Sequence, residues 1–201
     1  MGKSSGGYGA LVHGMTHPDV FGAVASHSGD VYFEYCYLGD VPKACSAIQR
    51  AGGLQAWFES FESRIQKKHD DLVVLNIVAM AAAYSPNPSA EPYGIDLPFD
   101  LETGAFRSDV WARWLELDPL RMLERHVDAL RSLKLLYLDC GTQDEWHLHH
   151  GARLFVRRLR ELGIPCEHQE FDDGHMNVTY RYDVSLPKMA AALGAEGGVP
   201  R

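Results

Sequence analysis

From residue 133 onward, strand-like runs alternate with helix-like ones, and this alternation constrains the fold more than any other feature of the chain. Residues 133–138 read as a strand, 149–162 as a helix closed by Gly163, 166–171 as a second strand and 186–193 as a last helix. Strand, helix, strand, helix predicts a parallel sheet covered by helices, because parallel neighbours need a crossover long enough to hold a helix. Near the start, 20–26 is a short apolar run closed by Ser28-Gly29-Asp30, which reads as a buried strand and turn. A helix-like stretch over 10–15 precedes it and stops at His17-Pro18. The expected class is α/β, a partial doubly wound sheet in a single domain over 1–201.

Residues from about 40 to 130 follow a different pattern. Trp57, Phe58, Phe61 and Ile65 recur at helical spacing, and Asp70 and Asp71 would cap a second helix running to Ala83. A proline-rich loop fills 85–98, and Ser108-Asp109 would cap a helix carrying Trp111, Trp114 and Leu115. This stretch, bounded at 32–118, is expected to be a helical cap-like insertion. Its tryptophans either pack a core or line an acyl pocket.

Composition excludes several classes of partner. The formal net charge of −8 gives no basic surface for nucleic acid or an anionic membrane. The longest apolar stretch, 72–84, falls short of the roughly 18 residues of a membrane span, and no basic and apolar leader opens the chain. Met1-Gly2 fails as a myristoylation start because Gly6 stands where Ser or Thr is needed. The four cysteines, Cys36, Cys45, Cys140 and Cys166, show no metal or redox spacing, so free thiols in a reducing, cytoplasmic compartment are expected.

Gly2-Lys3-Ser4-Ser5-Gly6 matches G-x-S-x-G with Ser4 at its centre. In such an elbow the serine sits on a strained turn between strand and helix, and flanking glycines avoid collisions that a Cβ would make. The turn exposes the hydroxyl and aims a helix N-terminus at the reacting carbonyl. The N–H of the next residue, Ser5, then supplies half of an oxyanion hole. A serine alcohol needs a base to act as a nucleophile. Asp144 follows the strand at 133–138 and His175 follows the strand ending at Phe171, each just past a strand's C-terminal end. Parallel sheets place their sites there, and Ser, Asp, His is the chain order that this elbow uses.

Several rivals stand beside these residues. Ser5 as nucleophile would put Lys3 at the motif's first glycine. Asp139, Asp173 and Glu145 compete with Asp144 as the acid. His147, His149 and His150 cluster without the H-E-x-x-H pattern of a helical metal site, so they read as solvent-facing residues near a helix start. His27, on the turn expected beside Ser4, would line the pocket, and Trp146 is assigned to substrate contact. Gly2-Lys3-Ser4 also mimics the end of a P-loop, with Lys3 on phosphate and Ser4 on magnesium, but the upstream glycine is missing.

Together these segments resemble the esterase D-like family of α/β-hydrolases, which includes S-formylglutathione hydrolases, feruloyl esterases and enterochelin esterases. The resemblance lies in residues 2–11, in His17-Pro18-Asp19-Val20-Phe21, in 139–145 and in 171–177, and it runs loosely to about Leu193. It implies a serine esterase acting on small-molecule carboxylic esters, with Ser4 as nucleophile, Asp144 as acid and His175 as base, and with no cofactor or metal. Family members carry several strands before the elbow, whereas this chain begins at it with about three strands. The chain is therefore expected to be a C-terminal part of such a hydrolase, lacking the second oxyanion donor. It is either an esterase or an inactive remnant, and its open sheet edge invites a second copy to pair.

Overall fold

A computed structural model describes residues 1–194. In chain order the elements are β1 (Gly2–Lys3), α1 (Ser5–Thr16), β2 (Ala23–His27), α2 (Phe33–Cys36), α3 (Val41–Ala51), α4 (Leu54–Ser63), α5 (His69–Tyr84), α6 (Ser108–Leu115), α7 (Pro119–Met122), α8 (Val127–Ser132), β3 (Leu135–Gly141), α9 (Leu148–Glu161), β4 (Glu167–Phe171) and α10 (Tyr182–Ala192). They fall into two compact units: Met1–Cys36 joined with the chain from Asp118 onward, and Tyr37–Leu117. No helix among the described residues is long and apolar enough to cross a membrane.

The first unit holds a four-stranded sheet in the order β1-β2-β3-β4, with every neighbouring pair parallel. The chain is thus α/β. Every residue of β2 and β3 is buried, as expected of inner strands covered on both faces. Alternate residues divide between two cores. Val24, Leu136 and Leu138 pack with Leu11 and Met15 of α1 and with Phe155, Val156 and Leu159 of α9. Ala23, Ala25, Leu135 and Tyr137 face Val184, Met189 and Ala192 of α10.

Two boundaries differ from the sequence pattern. Helix α1 starts at Ser5 rather than at residue 10, so Gly6, Gly7 and Gly9 are helical despite their low propensity. Packing overrides propensity here: a Cβ on Gly7 would stand 2.9 Å from Gly29 Cα, so the helix can approach the turn after β2 only where side chains are absent. The fourth strand is β1, whose two residues are too few to register as an apolar run. Asp118 is fully buried and staples the unit where the chain leaves and re-enters it. Its carboxylate accepts the N–H groups of Tyr32 (3.0 Å), Phe33 (2.9 Å) and Leu120 (2.9 Å), the last of these capping α7.

The Tyr37–Leu117 unit is helical. Val41, Ala44, Cys45 and Ile48 of α3 and Val74, Ile77 and Ala81 of α5 are buried. Trp114 is fully buried, its ring edge-on to Tyr37 and Tyr84 at 5.8 and 5.6 Å, and its indole N–H donates to Ser85 Oγ at 2.8 Å. Trp111 lies 5.6 Å from Trp114. Of the two expectations for these tryptophans, the structure shows the core-packing one.

On the α10 side of the sheet, Asp139 organises a buried polar network. Its Oδ1 accepts from His27 Nδ1 at 2.7 Å, and its Oδ2 accepts from Tyr137 Oη at 2.8 Å and Arg181 Nε at 2.9 Å. His27 Nε2 in turn accepts from Ser185 Oγ at 2.9 Å. Burial and the neighbouring carboxylate push the Tyr137 phenol pKa well up, so it remains a donor to Asp139. These bonds lock α10 onto β2 and β3. Ser185→Ala should therefore cost about 1–3 kcal/mol of unfolding free energy, the usual penalty for leaving a buried polar atom unpartnered. Urea unfolding followed by circular dichroism measures it, and an unchanged midpoint would show that the contact adds nothing.

Candidate active site

Ser4 occupies the one-residue corner between β1 and α1. Its N–H donates to His27 C=O at 2.9 Å, continuing the β1–β2 ladder, and its C=O accepts the Tyr8 N–H at 3.0 Å, opening the helix. Between those bonds its backbone is forced to φ 57°, ψ −129°. A side-chain-bearing residue held there stores on the order of 1–3 kcal/mol of strain. The tightness resides in Gly2, where a Cβ would meet Gly6 O at 2.3 Å. Gly6, by contrast, has open space for a Cβ, so the expected steric need for both flanking glycines holds at the first only. Ser4 Oγ makes no hydrogen bond among the described residues. Lys3 lies in β1, paired with His27, and not on the loop beyond a strand that the P-loop reading requires.

The N–H of Ser5, the first residue of α1, is among the helix-start donors that have no intrahelical acceptor. The Ser5 hydroxyl is engaged elsewhere, donating to Asp30 Oδ2 at 3.0 Å, which leaves the backbone N–H as its available donor. Ser4 and Ser5 are therefore placed differently, the first at the strained corner and the second inside the helix.

Asp144 and His175 come together. Register across the sheet aligns Lys3, His27, Asp139 and Gln169, so the turns after β1, β3 and β4 all leave from one end. His175 Nδ1 donates to Asp144 Oδ2 at 2.7 Å, and both residues are buried. Asp144 Oδ1 accepts the N–H groups of Trp146 at 2.9 Å and Leu148 at 3.4 Å. Burial opposes the Asp144 charge, but the bond and charge of His175 and those two backbone donors outweigh it and hold the carboxyl below its ordinary range. The Cys140 thiol stands 3.7 Å from Asp144 Oδ2, and burial raises its pKa far out of reach of ionisation. Trp146 lies against the His175 ring, with centroids 4.7 Å apart. The arrangement provides a fixed, ionised acid, an oriented imidazole and a hydroxyl on a strained corner at the same sheet end.

The rival acids have other partners. Asp139 holds His27 and Arg181, whereas Asp173 accepts the Gly174 N–H at 2.8 Å and the Tyr180 hydroxyl at 3.1 Å. Glu145 accepts the backbone N–H of His175 at 2.7 Å, a role that no sequence signal indicated. His27 requires a correction. It is 1% exposed with both ring nitrogens engaged, on the α10 face of the sheet, so it does not line a pocket. The alternation along β2 sends its side chain to the same face as Ala23 and Ala25. His149 is likewise buried, not solvent-facing, with its ring 4.0 Å from that of His150.

Among solved structures, a ferulic acid esterase resembles the chain at 18% identity and a TM-score of 0.47, covering 96% of this chain and 51% of its own. An S-formylglutathione hydrolase from Staphylococcus aureus does so at 14% identity and a TM-score of 0.47, covering 96% and 52%. The chain thus spans about half the length of these solved structures. No curated protein matches it. Residues 1–192 match the family described as "Putative esterase", and the chain belongs to that family.

Proposed function

We propose that this chain carries the catalytic machinery of a carboxylic ester hydrolase, with Ser4 as nucleophile, His175 as base and Asp144 as acid. The observation that carries the reading is the 2.7 Å bond from His175 Nδ1 to the buried Asp144 carboxylate, at the sheet end where Ser4 sits on its strained corner. Family membership supports the same chemistry.

With Nδ1–H committed to Asp144, the His175 ring presents Nε2 as the basic nitrogen. Nε2 takes the Ser4 proton as Oγ adds to the ester carbonyl, and Asp144 stabilises the imidazolium that forms. The Ser5 N–H, reinforced by the α1 dipole, faces the negative charge developing on the carbonyl oxygen. Collapse of the tetrahedral intermediate expels the alcohol, which takes the proton back from Nε2 and leaves an acyl ester on Ser4. Water then adds to that ester with His175 again as base, which releases the acid and restores Ser4. A cytoplasmic location belongs to the same proposal. It rests on four free thiols, and finding them paired in an oxidising compartment would overturn it.

A fluorophosphonate probe, which reacts with activated serines, should label Ser4 in the wild-type chain and leave His175→Ala unlabelled, with the site located by peptide mass spectrometry. A folded chain with no labelled serine would refute the reading. Asp144→Asn should lower the labelling rate by about 10⁴-fold, the scale of losing the correct histidine tautomer.

The same variant makes a prediction about stability. Because the folded state depresses the Asp144 pKa, the carboxylate's contribution is complete above the ordinary carboxyl range and disappears as pH falls through the folded-state value. Asp144→Asn should therefore be less stable than wild type at neutral pH, with the gap closing on acidification. A gap that widens towards acid would contradict this assignment of the charge.

A further inference from the structure

The three residues Asp144, Glu145 and Trp146 hold His175 at three different points. Asp144 takes the ring N–H at Nδ1, Trp146 packs on the ring, and Glu145 Oε2 accepts the backbone N–H at 2.7 Å. The loops themselves are already joined further back. Thr142 N–H donates to Phe171 C=O at 2.9 Å, Gln143 N–H to Asp173 C=O at 3.0 Å, and Gln143 Nε2 to Asp172 Oδ1 at 2.6 Å. None of these bonds reaches His175. Glu145 supplies a tie on the histidine's own backbone N–H.

The position before the histidine fits this tie. A Cβ on Gly174 would lie 2.9 Å from Glu145 Oε1 and 3.2 Å from Oε2, so the carboxylate occupies the space that a side chain at 174 would fill. Glu145 is exposed while the group it binds belongs to a buried residue, so an accessible carboxylate reaches inward to fix buried backbone. A bond from a charged acceptor to a backbone N–H is among the stronger single contacts available for this purpose.

We propose that Glu145 is a positioning residue, setting the place of His175 Nε2 by holding the histidine's backbone N–H in the gap left by Gly174. The inference rests on the reading of His175 as the base for Ser4. Asp144 and Trp146 hold the ring, and the Glu145 contact holds the main chain that carries it. The role depends on an acceptor oxygen at this place and not on negative charge. A glutamine therefore preserves it and an alanine does not.

The experiment uses the whole chain and two readouts. The first is the rate constant of fluorophosphonate labelling at Ser4 as a function of pH. The second needs no activity: it is the far-downfield proton resonance of the His175 Nδ1–H bound to Asp144. Its loss in His175→Ala assigns it and separates it from the equivalent proton of His27 on Asp139. Glu145→Ala should slow labelling by about 10- to 100-fold, the scale on which misplacing a reacting group by up to about 1 Å slows a reaction. It should also broaden or remove the resonance, whereas Glu145→Gln keeps the resonance and most of the rate. Gly174→Ala should slow the wild type but add no further loss in the Glu145→Ala background, because the two changes disrupt one contact.

Wild-type labelling and an unchanged resonance in Glu145→Ala would overturn the inference. So would a Glu145→Gln variant as slow as Glu145→Ala with its pH midpoint displaced, since Glu145 would then act by charge. If wild-type Ser4 is unreactive while the resonance is lost in Glu145→Ala and kept in Glu145→Gln, the hydrolase reading falls and the positioning role stands.

Discussion

Parallel pairing of four strands is the constraint from which the rest of the site follows. Each strand runs in the same direction, so each hands the chain over to its following turn at the same end of the sheet. Ser4, Asp144 and His175 are far apart in sequence and share that end only because every crossover returns the chain to the opposite end before the next strand begins. Burial of β2 and β3 on both faces makes the alignment stiff, since a slip of one residue would exchange the two cores facing α1 and α10.

Much of this was legible in the sequence because it depends on local pattern. The apolar runs behind β2 and β3, the segment of β4 and the amphipathic α9 lie within a few residues of where the sequence pattern puts them. The choice of Ser4, Asp144 and His175 rests on the G-x-S-x-G spacing, the chain order Ser, Asp, His and the rule that parallel strands end together. What was illegible depends on contacts distant in sequence. The helical start at Ser5 requires Gly29 to come within reach of Gly7, and neither glycine announces the other. The α10 helix begins at Tyr182, four residues before the apolar pattern, in the region where Arg181 and Ser185 meet Asp139 and His27.

Two His–Asp pairs in the structure share one contact distance, 2.7 Å from Nδ1 to the carboxylate in both His27–Asp139 and His175–Asp144. Around the first pair, Ser185 Oγ completes a hydrogen-bonded serine–histidine–aspartate trio, whereas Ser4 Oγ makes no hydrogen bond among the described residues. They differ in setting. Ser185 is fully buried in the interior of α10, with its hydroxyl already donated to His27, whereas Ser4 is half-buried at a helix N-terminus with strained backbone. Catalysis by a hydroxyl requires access to a carbonyl and donors for the resulting charge, and the inner constellation offers neither. Its chemistry is spent on cohesion. A close hydrogen-bonded trio is therefore weak grounds for a catalytic assignment until the exposure of its nucleophile is known.

The Asp118 staple has a consequence for how such a chain can change over evolutionary time. By binding Tyr32 and Phe33 on one side and Leu120 on the other, it fixes the exit and return points of the inserted helical unit beside each other in the sheet-bearing unit. The entropy of closing a loop between fixed ends grows only logarithmically with the length of chain between them. Insertions, deletions or wholesale replacement between Tyr37 and Leu117 thus impose little thermodynamic load on the sheet. The length of the inserted part is thereby uncoupled from the placement of the three loop ends on the sheet.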